Sequence, residues 1–102
     1  MAEVKIIPPH AGEAYWLTGD RLTFKVTGAE TNGSSTVAEV EVAPGGGPPP
    51  HLHTREDEAF FVLEGEFEFW TEGQSQRLGK GGFFYGPRGR PHAYRNVGSE
   101  PG

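Results

Sequence analysis

The feature that most constrains this chain is where its 16 glycines and 9 prolines fall. They cluster between short runs in which apolar and polar residues alternate, and no stretch of ten residues carries a helical period. Punctuation this dense approaches the composition of low-complexity chains. The 7 Phe, 3 Tyr and 2 Trp argue the other way, because disordered chains are poor in aromatics. Short strands separated by frequent turns predict an all-β fold, an antiparallel barrel or double-sheet jelly roll.

The expected strands follow from period-two alternation. Residues 13–18 form a first strand with Tyr15 and Trp16 as its bulk. Over 21–27, Leu22, Phe24 and Val26 face inward, and Arg21, Thr23, Lys25 and Thr27 outward. Asn32-Gly33 signals a turn. Over 35–42, Ala38, Val40 and Val42 are the inner row, and Val37, Glu39 and Glu41 the outer. Pro44-Gly45-Gly46-Gly47-Pro48-Pro49-Pro50 then presents His51 and His53 on a stiff, extended segment. Further strands are expected at 58–63, around Phe67 and Phe69, at 83–86 and at 92–96. No linker and no internal repeat divides the chain, so one domain over 1–102 is expected.

Composition narrows the function. A net charge of −5 and a pI near 5.3 argue against a nucleic-acid partner, which requires clustered Lys and Arg. The absence of cysteine excludes disulfides and thiol catalysis. The longest apolar run, 59–63, falls far short of the roughly 20 residues that span a bilayer. The first residues lack the apolar core of a signal peptide, so a soluble, cytoplasmic protein without a membrane partner is expected. Neither a phosphate-binding P-loop nor a Gly-x-Ser-x-Gly elbow is present.

Four histidines remain. His51 and His53 are two apart on an extended segment, so both imidazoles point to one face. Glu58 opens the next strand on the side shared by Phe60 and Val62, and His92 opens a later strand behind a Pro-rich turn. Isolated buried polar groups are costly, and one divalent cation relieves that cost for three imidazoles and a carboxylate together. Each signal taken alone has a plainer reading. His-x-His is often an exposed rim pair, Glu56-Asp57-Glu58 reads equally as a solvated loop, and His92 alone as a satisfied core histidine. His10, in a Pro-rich arm, reads as structural or surface.

The joint spacing resembles the cupin superfamily of small metal-binding β-barrels. The first motif runs Gly45, five residues, His51-Leu52-His53, four residues, Glu58, six residues, Gly65. The second runs Gly81, five residues, Pro87-Arg88-Gly89, two residues, His92, three residues, Asn96. Fifteen residues separate the motifs, as in compact single-domain members, and the motifs cover 45–96. More narrowly, residues 44–65 and 91–98 are similar to a quercetin dioxygenase-like group.

The resemblance implies a jelly roll holding one divalent ion (Fe, Mn, Ni, Co or Zn) on His51, His53, Glu58 and His92. It also implies that Glu58 doubles as the base that takes a substrate hydroxyl proton. The expected activity is a metal-dependent oxygenase acting on a small enolic or phenolic compound. The alternatives are non-redox metal catalysis (isomerase, cyclase or decarboxylase) and a non-catalytic ligand-binding role. Phe60, Phe69 and Tyr94 are the expected substrate-facing residues, among apolar walls that include Phe24, Phe67 and Phe84. Members of the family continue with a further apolar strand where this sequence ends in Gly98-Ser99-Glu100-Pro101-Gly102, so the expectation is either a missing tail that carries the last strand or a homodimer in which a partner chain fills the vacant sheet edge.

Overall fold

The structure is a computed structural model that describes residues 2–17 and 19–102. Among the described residues the regular elements are antiparallel strands and one 3₁₀ turn, β1 (Glu13–Leu17), β2 (Asp20–Val26), η1 (Gly28–Glu30), β3 (Val37–Glu41), β4 (Glu58–Phe61), β5 (Phe67–Thr71), β6 (Gln74–Leu78), β7 (Phe83–Gly86) and β8 (His92–Asn96). No helix among the described residues is long and apolar enough to cross a membrane. The chain divides into two compact units, one ending at Glu41 and the other running Val42–Gly102.

The first unit is a sheet in the order β1-β2-β3. Tyr15 lies opposite Leu22, and Leu22 opposite Val40. The first strand ends at Leu17, and the expected extension to Thr18 lies outside the described residues. Inner and outer rows of β2 depart from expectation. Thr23 is buried at 7% exposure, whereas Leu22 and Phe24 are only half-buried. The chain before β1 accounts for this. Gly12 lies so close to β2 that a Cβ there would stand 3.1 Å from Thr23 Cγ2, and Lys25 Nζ donates to Ala11 O at 2.7 Å. The face expected to meet water is therefore covered by residues 11–12. Asn32 and Gly33 both take positive φ, 56° and 79°, as the turn signal requires, although the β2–β3 connection also accommodates η1.

The second unit holds a β4-β7 pair and a β6-β5-β8 sheet. Phe67 and Phe69 are buried as expected, with Val42 and Val62. Their rings join Phe60, Phe84 and Tyr94 in one aromatic cluster, with Phe69 stacked on Phe84 at 4.9 Å and Phe60 tilted against Tyr94 at 5.4 Å. Strand β6 was not expected. Its sequence, Gln-Ser-Gln-Arg-Leu, is polar and exposed except for a half-buried Leu78, so it shows no apolar alternation. It forms because Glu72-Gly73, with Gly73 at φ 79°, folds it back onto β5 as a two-residue hairpin.

Asn96 is wholly buried. Its Nδ2 donates to Val42 O at 2.9 Å and to Glu100 O at 2.8 Å, and its Oδ1 accepts the Gly98 N–H at 2.8 Å. That is the loop-tying role its residue type suggests. Val42 and Gly102 exchange backbone hydrogen bonds at 2.8 and 3.0 Å, which draws the end of the chain onto the start of the unit.

Candidate metal centre

Each prospective ligand is set by a different local device. The segment before His51 is anchored by Gly45 N–H donating to Asn96 O at 2.8 Å and Asn96 N–H donating to Gly46 O at 2.9 Å. Gly47 makes this approach possible. It sits at φ 138°, and a Cβ there would fall 2.0 Å from Tyr94 O. His51 and His92 then exchange backbone hydrogen bonds at 3.0 and 2.9 Å, so these two histidines face each other across a single β-bridge. Glu58 begins β4 directly opposite Gly86 of β7. A Cβ at residue 86 would stand 2.9 Å from His92 Cε1 and Nδ1, so the missing side chain is what admits the His92 ring beside Glu58.

The four side chains meet at one carboxylate oxygen. Glu58 Oε1 lies 2.8 Å from His92 Nε2, 3.0 Å from His53 Nε2 and 3.5 Å from His51 Nε2. His51, Glu58 and His92 present ligand atoms within 4.8 Å of one another. His53 stands farther from His92, 6.4 Å between ring centroids against 4.7 Å for His51. His92 is buried at 2% exposure, and the other three are half-buried, so the site opens to solvent on the side of the His51–His53 segment.

The opposite ring nitrogens decide what these groups can do. His51 Nδ1 lies 3.0 Å from Pro49 O and His92 Nδ1 lies 3.2 Å from Arg90 O. A carbonyl oxygen only accepts, so both Nδ1 atoms carry the proton. His53 Nδ1 likewise faces an acceptor, Glu56 Oε1, at 2.8 Å. With Nδ1 protonated, a neutral imidazole turns its Nε2 lone pair toward Glu58 Oε1, whereas an imidazolium donates to it, as in a hydrogen bond between His92 Nε2 and Glu58 Oε1 at 2.8 Å. The neutral form leaves acceptors facing acceptors, which a cation among them would satisfy, and a group of His51, Glu58 and His92 with His53 Nε2 also facing Glu58 is a donor set that suits a divalent transition metal. By residue type and arrangement, a metal ion fits here.

Around the centre, Phe60 and Phe84 stand 6.0 and 5.8 Å from the His92 ring. Tyr94 and Phe69 lie one layer behind, each in ring contact with Phe60, and Phe69 is only 6% exposed. His10 is exposed in the first unit, where it lines a small polar cavity with Arg21, Thr23, Glu39 and Glu41. One feature of the second unit lies beyond the reach of strand periodicity. Asp57 and Arg88 are paired beside the centre, with Arg88 Nε donating to Asp57 Oδ1 at 3.1 Å. The Arg88 guanidinium, the Arg88 N–H and the Tyr85 hydroxyl together hold the Asp57 carboxyl far below the usual carboxylate range. Nothing in alternation joins positions 31 apart in two loops. The only sequence signal is an acid beside Glu58 and a base between Pro87 and Gly89.

Comparison with known proteins agrees with this geometry. Over 82 residues the chain is 42% identical to Nectarin-1 of Nicotiana plumbaginifolia, covering 76% of this chain and 35% of that protein. Over 81 residues it is 36% identical to quercetin 2,3-dioxygenase of Bacillus subtilis, covering 78% of this chain and 24% of that protein. The chain thus spans about a quarter to a third of the length of these curated relatives. The solved structure of KdgF from Halomonas sp. superposes with a TM-score of 0.82 at 20% identity, over 97% of this chain and 87% of that one, which supports the antiparallel jelly-roll fold. The Cupin domain model matches residues 38–102, a span that contains both spaced motifs and all four converging side chains, and the chain belongs to the cupin family.

Proposed function

We propose that this chain is a metal-dependent cupin enzyme of the oxygenase type, acting on a small enolic or phenolic compound. The observation that carries the reading is the convergence of three Nε2 atoms on Glu58 Oε1 at 2.8–3.5 Å. His51, His53, Glu58 and His92 are the proposed ligands, and Fe, Mn, Ni, Co and Zn are the ions their chemistry admits. The bound ion would supply an electrophilic centre that favours the ionised form of a substrate hydroxyl.

Three neutral imidazoles and one carboxylate leave a divalent site with a net positive charge, which selects an anionic oxygen ligand. Phe60 and Phe84, with Phe69 and Tyr94 behind them, offer an apolar aromatic wall beside His92 that suits an aromatic or enolic ring. Glu58 is the proposed base for the hydroxyl proton, a role supported by its half-buried position at the meeting point of the imidazoles. Oxygen chemistry is favoured over the non-redox reading because one relative, 36% identical, is a quercetin 2,3-dioxygenase. A homodimer working on a small-molecule substrate completes the reading.

The test is oxygen uptake by protein loaded in turn with each of the five ions, against a panel of flavonols, catechols and enolic acids. Substrate-dependent oxygen consumption with a redox-capable ion is the expected result. Turnover without oxygen uptake, supported equally by Zn, would replace this reading with isomerase, cyclase or decarboxylase chemistry.

A further inference from the structure

The second unit contains a polar cluster that neither the core nor the donor set requires. The Asp57 carboxylate gathers donors from a segment 31 residues away. Its Oδ1 accepts the Arg88 N–H at 2.9 Å and Arg88 Nε at 3.1 Å, and its Oδ2 accepts the terminal guanidinium nitrogen at 3.3 Å. The Tyr85 hydroxyl bonds to the same carboxylate. Asp57 immediately precedes Glu58, and Arg88 lies in the turn that leads into His92. One residue farther along that turn, Gly89 N–H donates to His53 O at 2.6 Å.

We infer that Asp57 and Arg88 form a latch that positions the His53–Glu58 loop against the turn carrying His92, and so sets the spacing of the metal donors. This rests on the metal reading above. An isolated exposed ion pair contributes little to stability. Here the side chains of Asp57 and Arg88 are 35% and 59% exposed, and the aromatic core lies elsewhere. A forked guanidinium joined by a backbone N–H on the same carboxylate differs from such a pair in one respect, because it fixes direction as well as distance. The two segments it fastens are the two that deliver opposite sides of the donor set. Asp57 and Arg88 touch no ligand atom, so they are positioning residues.

The geometry also ranks the variants. Arg88→Ala removes the guanidinium contacts and leaves the backbone N–H on Asp57. Asp57→Ala removes every contact. Asp57→Asn keeps an acceptor oxygen for the N–H and Nε.

The experiment is titration of metal-free protein with Co2+ alone, read by its visible absorption, beside the thermal midpoint of the metal-free protein. Asp57→Ala is expected to weaken Co2+ binding about tenfold or more and to shift the absorption bands, with the metal-free midpoint close to wild type. Arg88→Ala should lose less, the double variant no more than Asp57→Ala alone, and Asp57→Asn should recover most of the affinity. Wild-type affinity and bands in Asp57→Ala would overturn the latch. So would full additivity in the double variant, or a fallen metal-free midpoint with unchanged bands. A wild-type chain that takes up no Co2+ removes the metal reading itself, and the latch with it, a failure distinguishable from the others.

Discussion

Glu58 and Gly86 face each other across the β4–β7 ladder, and the space left by the absent side chain at 86 is filled by the imidazole of His92. Glu58 Oε1 and His92 Nε2 consequently meet at 2.8 Å. A strand pairing thus becomes a carboxylate–imidazole contact because one of the paired residues is glycine.

Gly86→Ala tests this directly. The added methyl would lie 2.9 Å from His92 Cε1 and Nδ1, closer than van der Waals contact allows, and His92 at 2% exposure has little room to move. The expected cost is about 1–3 kcal/mol of stability by overpacking. Metal content should fall with it. Denaturant unfolding and elemental analysis of one preparation check both.

Removing a ligand should separate binding from chemistry. His53→Ala is expected to cut metal content sharply, because its Nε2 is one of the three that face Glu58 Oε1. Glu58→Gln should lower turnover more than metal content if the carboxylate also accepts the substrate proton. Chelation of the wild-type protein should lower its thermal midpoint, since a ligand bound only by the folded chain at 100 times its Kd adds about 2.7 kcal/mol. Metal analysis, steady-state rates and thermal melts with and without chelator decide each part.

Asn96→Ala should be among the most destabilising substitutions in the second unit. It would leave Glu100 O and the Gly98 N–H without their amide partner and take one of two donors from the buried Val42 O, which keeps the Gly102 N–H, at a position with no solvent exposure. A loss of about 3 kcal/mol is expected from the unsatisfied groups. Urea unfolding gives the value, and a loss under about 1 kcal/mol would show that water replaces the amide.

In the first unit, Glu30 should titrate below its ordinary value. Lys5 pairs with its carboxylate, and the Thr27 N–H donates to it at 3.1 Å. A depressed carboxyl adds stability that is present above the unfolded value and lost as pH falls through the folded one, so the affected window lies at and below pH 4.5. Carbon-detected NMR titration should find the low value, and Lys5→Ala should raise it.

The meeting of side chains 51, 53, 58 and 92 was anticipated from motif spacing and side-chain direction: Glu58 and His92 open β4 and β8, while His51 and His53 lie two apart on the segment before β4, where His51 makes an isolated bridge. Val42, Phe67 and Phe69 were legible from the rule of strand alternation. The rule failed at Thr23 because the chain near Gly12 covers the face that alternation assigned to water. It was silent on β6, whose residues pair through the backbone and bury almost nothing. It could not reach Asp57 and Arg88, since contacts between two loops leave no period along the chain. Alternation reports burial, and what is held by backbone pairing or by ion pairs at the rim is not written in it.

The imidazoles of His51 and His92 are aimed by the carbonyls of Pro49 and Arg90, groups that every residue type possesses. Their orientation therefore survives any replacement at 49 or 90 that preserves the path of the main chain. Side-chain identity there is released to serve something else, such as access to the opening or the electrostatic character of its lip. A lineage carrying this centre can redecorate its surroundings without re-solving how the rings are pointed.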